Sequence, residues 1–414
     1  MNTTQAPLPE VAPLPGADMQ TGSPPTAATR LVSLDAYRGF VMLLMASDGF
    51  NFSRMSQLNP DSSFWRLLAY ETEHVEWRGC SLWDLIQPSF TFLVGVALPF
   101  SLAKRKAAGQ SFGRMLGHAV WRSLALTLLG VFLRSNHRHQ TYFTFEDVLS
   151  QIGLGYTFLF LLAWTKPKTQ FIAAVAILAG YWAAFALYPL PGPGFDYKAV
   201  GVPYDWPHLT GFAAHWDKNT NFAAAADQWF LNLFSREHPF VFNDGGYLTL
   251  SFVPSLATML FGLLAGQFMR TPTEPARKVA VLAGVGVGCL LIGMLFDLTG
   301  ICPSVKRIWT PSWVIFSSGW VCLLLAAFYA VIDWQGWKRW AFPLVVVGMN
   351  SIAMYVMDHL WDNWIKNTWR IHFGPNVYNL FGVGFAPITE MVLMLLVLWL
   401  FTYWMYRRKL FLKI

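Results

Sequence analysis

Charge is what this chain has least of. Only 13% of its 414 residues are Asp, Glu, Lys or Arg, where a soluble protein carries about a quarter. Cysteine is scarce too: Cys80, Cys289, Cys302 and Cys322 form no CxxC pair and no Cys/His cluster of zinc spacing, so no metal site is expected. Cys289 and Cys322 fall in apolar runs and read as packing residues. Whether Cys80 and Cys302 pair is left open by the sequence, which does not supply the geometry. No Walker A loop, HExxH or GxSxG occurs. No span carries the regular arginines of a voltage sensor, and no inverted repeat of a secondary transporter is visible. Residues 1–29, rich in Pro, Ala and Thr, lack the basic and apolar regions of a signal peptide. They read as a disordered tail, with 30–414 as a single membrane domain.

What is abundant is apolar surface. Hydrophobic residues make up 55% of the chain, with 34 Phe and 20 Trp, and several runs reach the roughly 20 residues a bilayer demands. Runs such as Met391 to Phe401 suit helices rather than the alternating strands of a barrel. The reading is an all-α polytopic membrane protein of about ten spans: 34–52, 82–103, 115–134, 147–165, 169–189, 247–269, 278–298, 311–333, 341–358 and 384–406. Ser33 is the expected cap of the first, with Asp35 in its first turn. The net charge of +7 concentrates in Lys104-Arg105-Lys106, Lys166-Pro167-Lys168, Arg270 with Arg277-Lys278, Lys338-Arg339 and Arg407-Arg408-Lys409. These fall in alternate loops and at the C-terminus, so the charge reads as orientation rather than nucleic-acid binding, with both termini cytoplasmic. The longest opposite-side segment, about 190–246, includes a short helix over Phe222 to Phe234, and its length suits a binding role. Gly284, Gly286 and Gly288, and the pair Gly262/Gly266, read as close-packing faces.

The polar groups at membrane depth carry the chemistry. His74 stands ten residues before Asp84, which enters the second span. A carboxylate there calls for a polar interior or partner, and an imidazole titrates near neutral pH. Trp77 and Trp83 give an interfacial setting, and Gly79 permits a turn that folds His74 back over the helix mouth. Asp48, Asn51, Asp147, Gln151, Asn350 and Asp358-His359 tend toward the same outer half, so a polar pocket opening outward is expected. Arg122 lies in the opposite half of span three. Each of these residues alone could be a satisfied interhelical hydrogen bond.

The segment Ser33-Leu34-Asp35-Ala36-Tyr37-Arg38-Gly39 resembles the S-x-D-x-x-R-G opening of the heparan-α-glucosaminide N-acetyltransferase family. His74-x-x-Trp77-x-Gly79-x-x-x-x-Asp84-Leu85-x-x-Pro88-x-Phe90 resembles its most characteristic motif. Trp121-Arg122-Ser123, Val148-Leu149 with Ile152-Gly153, Gly262 to Gly266, Lys306-x-x-Trp309-Thr310 and Gly348-Met349-Asn350-Ser351 follow in the family's order. Where the family has Gln-Arg before Ile-Gly, this chain has Ser150-Gln151. The resemblance covers roughly 31–414.

The resemblance implies a multi-pass enzyme of the inner membrane that takes acetyl from cytoplasmic acetyl-CoA, without a metal. It implies transfer to an amino sugar or other saccharide on the far side, with the active-site histidine at His74. His74 would act as general base, a role typically worth about 10² to 10⁴ in rate, or would itself carry the acetyl group. Asp84 would orient it. Asp48, Asn51, Trp77, Gln151 and Asn350 are the candidates for the acceptor side, with Gln151 or Asn350 aimed at the thioester oxygen. Arg122, Lys104, Arg105 and Arg114 are the candidates for the CoA phosphates. Oligomeric state stays open, a homodimer being suggested only by the resemblance. A transporter or lipid-linked-sugar permease using the same pocket is the competing class, and a non-catalytic membrane assembly component is the third.

Overall fold

The computed structural model describes residues 31–412; the tail expected over 1–29 lies outside them. Eleven helices make up the membrane part: α1 (Val32–Ala46), α2 (Ile86–Ala107), α3 (Phe112–Arg134), α4 (Val148–Leu162), α5 (Pro167–Ala186), α6 (Phe252–Met269), α7 (Pro275–Leu298), α8 (Pro311–Phe328), α9 (Phe342–Gly348), α10 (Ser351–Phe373) and α11 (Ala386–Arg407). No strand occurs among the described residues, beyond one isolated bridge between Arg78 and Val305. The protein is an all-helical, multi-pass membrane protein.

Local chemistry sets the helix starts. Ser111, Asp147 and Thr310 accept backbone N–H bonds as side-chain caps of α3, α4 and α8, and proline opens α5, α7 and α8. Ser33 is not the cap of α1. It is buried inside the helix, and Asp333 accepts from the Val32 and Ser33 N–H groups at 3.2 and 3.0 Å. A carboxylate three hundred residues away satisfies the donors that a local cap would have taken.

Eight of the ten expected spans meet the length and apolarity that a crossing needs, counting one bent pair as a span. Seven helices among the described residues are long and apolar enough to cross a bilayer. The pair Arg339–Gly348 and Ser351–Phe373, bent by 68°, adds an eighth if counted as one span. The other two expected spans correspond to α1 and α4, each 15 residues, or ~23 Å at the α-helical rise, short of the ~30 Å hydrocarbon core. α1 stops early because Asp48, Gly49, Phe50 and Asn51 all take positive φ, which no right-handed helix accommodates. α4 is bounded by its Asp147 cap and by the Pro167 start of α5.

The bundle centre is α2 against α6, whose membrane windows are each 67% buried, against 17% for α7. Glycine makes that crossing possible. A Cβ on Gly262 would meet the Phe92 carbonyl, and one on Gly95 the Met259 carbonyl. Of the Gly284/286/288 triplet, only Gly286 packs, against α8; Gly284 and Gly288 face open space. The long segment between α5 and α6 is ordered, with a helix at Phe222–Leu231. Val202, Trp206 and Trp216 form a core with Tyr181, Phe185, Trp77, Cys302 and Val305. This cap packs on Trp77 of one loop of the candidate site and on Cys302 and Val305 of the other. All four cysteines are free thiols.

Candidate active site

His74 lies on the loop leading into α2, and several contacts fix that loop. Gly79, at φ +133°, donates its N–H to the Ser304 carbonyl at 3.2 Å. Arg78 forks onto Asp297, with Nε to Oδ1 at 2.8 Å and Nη2 to Oδ2 at 3.0 Å, the planar bidentate geometry of a strong pair. Asp297 also receives the Ser304 N–H at 2.7 Å. Trp77 donates from Nε1 to the Trp216 carbonyl at 3.1 Å and so staples the loop to the cap. Two loops far apart in sequence, 72–83 and 299–310, are thereby locked edge to edge.

The lock brings three groups together. His74 Nδ1 is 2.8 Å from Asp84 Oδ1. Lys306 Nζ is 2.9 Å from the same Nδ1 and 3.1 Å from the same Oδ1. The other Asp84 oxygen accepts from the Val75 N–H, the Ser81 N–H and the Ser81 hydroxyl at 3.2, 3.2 and 3.1 Å. Asp84 is fully buried and Lys306 nearly so, whereas the His74 side chain is 37% exposed. Burial first, then the Lys306 and Arg307 charges, hold the His74 imidazole below its ordinary pKa against the pull of Asp84. Burial likewise lowers Lys306 against the attraction of Asp84.

Lys306 was not among the residues singled out for chemistry. It appears in the sequence only within Lys306-x-x-Trp309-Thr310, beside Arg307 in a loop of mixed charge. A tight turn presents it: the Trp309 N–H bonds the Lys306 carbonyl at 2.8 Å and Thr310 N–H bonds the Val305 carbonyl at 3.1 Å. Trp309 at the corner takes φ +50°, a costly conformation for a bulky side chain.

His74 and Lys306 open onto a cavity of about 350 Å³, also lined by Trp83, Gln87, Arg134, Glu146, Tyr247, Tyr355 and His359. A second cavity, about 380 Å³, is lined by Arg38, Arg105, His118, Arg122, Tyr156, Leu412 and apolar residues of α2 and α4. Val148 and Tyr355 belong to both linings. On α2 the combined lining includes Gln87, Phe90, Val94, Ala97, Ser101 and Arg105, spaced by i+3 and i+4 steps over ~27 Å, with Ile86, Leu98 and Leu102 beside them. The two cavities are stacked along the same helices with a shared wall between them.

The other sequence candidates divide. Arg105 and Arg122 line the second cavity. Arg122 donates to the Tyr156 hydroxyl at 3.3 Å with its guanidinium 4.5 Å over that ring, and its buried Nε has no partner. Lys104 and Arg114 are exposed and line neither cavity. Gln151 is buried and spends its amide N–H groups on the Phe145, Leu248 and Thr249 carbonyls. Asn350 pins the C-terminal segment, donating to the Leu410 carbonyl at 3.1 Å and accepting from the Leu412 N–H at 3.2 Å. Asp48 is exposed, and Asn51 reaches the Pro387 carbonyl at 3.4 Å. Gln151, Asn350, Asp48, Asn51 and Trp77 all lie outside the lining of the His74 cavity. His359 is inside it. No group of three or more His, Cys, Asp or Glu suited to a metal occurs among the described residues.

No family model matches the chain. Among curated proteins, the heparan-alpha-glucosaminide N-acetyltransferase of Homo sapiens is 23% identical, over 93% of this chain and 60% of that protein. The Mus musculus protein of the same name is 24% identical, over 96% of this chain and 62% of that protein. The chain thus spans about three-fifths of the length of the curated relatives it matches. With similarity running almost end to end through an all-helical membrane fold, the chain is a distant relative of the heparan-alpha-glucosaminide N-acetyltransferases.

Proposed function

We propose that this chain is a transmembrane acetyltransferase, moving acetyl from cytoplasmic acetyl-CoA to an amino sugar or other saccharide across an inner membrane. The observation that carries the reading is the pair of stacked cavities meeting at Val148 and Tyr355. A donor and an acceptor on opposite sides of a bilayer need such an arrangement. The second cavity offers Arg105, Arg122 and His118, and guanidinium groups suit phosphate oxygens. Clustered loop cations favour the cytoplasm for that end, which leaves the His74 cavity for the acceptor.

Within the acceptor cavity His74 is the reacting group and Asp84 its orienting partner. His74 either takes the acceptor proton as the acceptor attacks the thioester carbon, or attacks that carbon itself and then hands the acetyl group on. In both routes the C–S bond breaks and the sulfur leaves as thiolate, to be protonated as CoA. The test is reconstitution into liposomes with labelled acetyl-CoA and glucosamine on opposite sides. Wild-type protein is expected to label glucosamine, and His74→Ala to abolish labelling while keeping its melting temperature. Full activity of His74→Ala, or sugar flux that does not require acetyl-CoA, would overturn the reading; the latter would make the protein a permease.

A further inference from the structure

The hydrogen-bond arithmetic at His74 Nδ1 has no single static solution. Nδ1 faces a carboxylate oxygen at 2.8 Å, which only accepts, and a lysine nitrogen at 2.9 Å, which as ammonium only donates. One ring nitrogen serves one of them at a time. If Lys306 is an ammonium, it donates to both Nδ1 and Asp84, and the neutral imidazole must carry its proton on Nε2. If Lys306 is neutral, Nδ1–H is free to donate to Asp84 or Nζ, and the lone pair moves to Nε2. The surroundings favour neither state by default: Nζ is buried, which disfavours the ammonium, and is 3.1 Å from a carboxylate, which favours it.

We propose that Lys306 is a positioning residue that selects the His74 tautomer and stores the proton His74 removes. The proposal rests on the acetyltransferase reading above and gives that reading a proton path. With Lys306 neutral, Nε2 accepts the acceptor's proton as the new bond to the acetyl carbon forms. The Nδ1 proton passes to Lys306 Nζ, and the resulting ammonium pairs with Asp84. When the thiolate leaves, the same path runs backward: Nζ returns a proton to Nδ1, and Nε2 delivers one to sulfur. One proton enters, one leaves, and the triad is restored.

Other charged or titratable groups face His74 from the elements around it: Arg307, Tyr247, and across the cavity Arg134, Glu146, Asp147 and His359. Arg307 donates to the Gly245 and Val75 carbonyls, and Asp147 is committed to capping α4. Among the described residues, only Asp84 and Lys306 stand within hydrogen-bonding distance of Nδ1.

The test reads His74 without using acetyl transfer: carbethoxylation by diethyl pyrocarbonate, which needs an unprotonated ring nitrogen, followed by mass spectrometry of the His74 peptide. Lys306→Arg keeps a permanent donor at Nδ1 and holds the proton on Nε2. It is expected to slow modification by about tenfold or more at every pH between about 6 and 9, since a wrong tautomer is costly. Lys306→Met is expected to react at least as fast as wild type. The opposite order, with Arg preserving reactivity and Met losing it, is what a purely structural ion pair predicts and would overturn the proposal, as would equal rates in all three proteins. Should Lys306→Met fail to fold because Asp84 is left unpaired, the Asp84→Asn/Lys306→Met double variant removes both charges and is expected to keep His74 reactive; an unreactive His74 in that folded variant also overturns the proposal. If the wild type transfers no acetyl but the reactivity order holds, the function is wrong and the selection of the His74 tautomer by Lys306 stands.

Discussion

Asp84 illustrates how much one buried carboxylate organises. It receives two backbone N–H groups, a hydroxyl, an imidazole nitrogen and a lysine. Asp84→Ala removes the acceptor that Lys306, Ser81 and the Val75 N–H share, and breaking a buried pair from one side typically costs about 3–5 kcal/mol. Thermal unfolding in detergent is expected to show that loss for Asp84→Ala and a smaller one for Asp84→Asn, which retains an acceptor. Asp227 gives the opposite behaviour. Burial raises its carboxyl from 3.8 to about 6, and one of its oxygens has no partner. The folded state therefore binds more protons than the unfolded state between roughly pH 4 and 6, and stability falls as pH rises through that window. Asp227→Asn is expected to raise the melting temperature at pH 8, by roughly 1–3 kcal/mol in stability, and to change little at pH 5, where the native carboxyl is already neutral. His74 and Asp84 were legible in the sequence because ten residues and a glycine turn connect them. Lys306 was not, because it arrives from 232 positions away on a turn whose approach is set by the Arg78–Asp297 fork. Gln151 and Asn350 looked like site residues because buried amides draw attention. In the fold each instead satisfies backbone groups that irregular segments leave open.

At the scale of elements, the apolar runs announced every membrane helix, but their lengths and breaks depended on details that hydropathy averages away. The left-handed run Asp48–Asn51 shortens α1, and the break at Met349-Asn350 bends α9 from α10 by 68°. Small-residue motifs were legible as a type and not as positions, since a glycine packs only if a neighbour's backbone arrives there. Gly262 and Gly284 form a matched pair for testing this. Gly262→Leu would drive a side chain into the Phe92 carbonyl and separate the two most buried helices. Gly284→Leu enters open space on a rim helix and gains helix propensity. Size-exclusion profiles after detergent extraction are expected to show aggregation for the first and a wild-type peak for the second. Aggregation of both would mean that α7 has a packing partner beyond those described.

For the whole molecule the governing geometry is two compartments and one wall. The guanidinium-lined cavity follows α2 from Arg105 to Phe90, and the His74 cavity takes up Gln87 and Ile86. Under the proposed transfer, the acetyl group would pass where Val148 and Tyr355 meet, beside the stacked Tyr355 and His359 rings, 4.2 Å between centroids. Val148 is the first residue of α4, held by the Asp147 cap, so a larger side chain there fills the wall without disturbing a long helix. Val148→Trp separates binding from transfer. Acetyl-CoA is still expected to stabilise the variant against heat, by about 2.7 kcal/mol at a hundred times its dissociation constant, because Arg105, His118 and Arg122 of the guanidinium-lined cavity are left in place. Acetylation of the acceptor is expected to fall by about tenfold or more, as misplacement of reacting atoms by even an ångström is costly. Retained transfer in Val148→Trp would show that the acyl group takes another route. Loss of the acetyl-CoA thermal shift would show that the cofactor itself crosses the wall and seats its thioester in the His74 cavity.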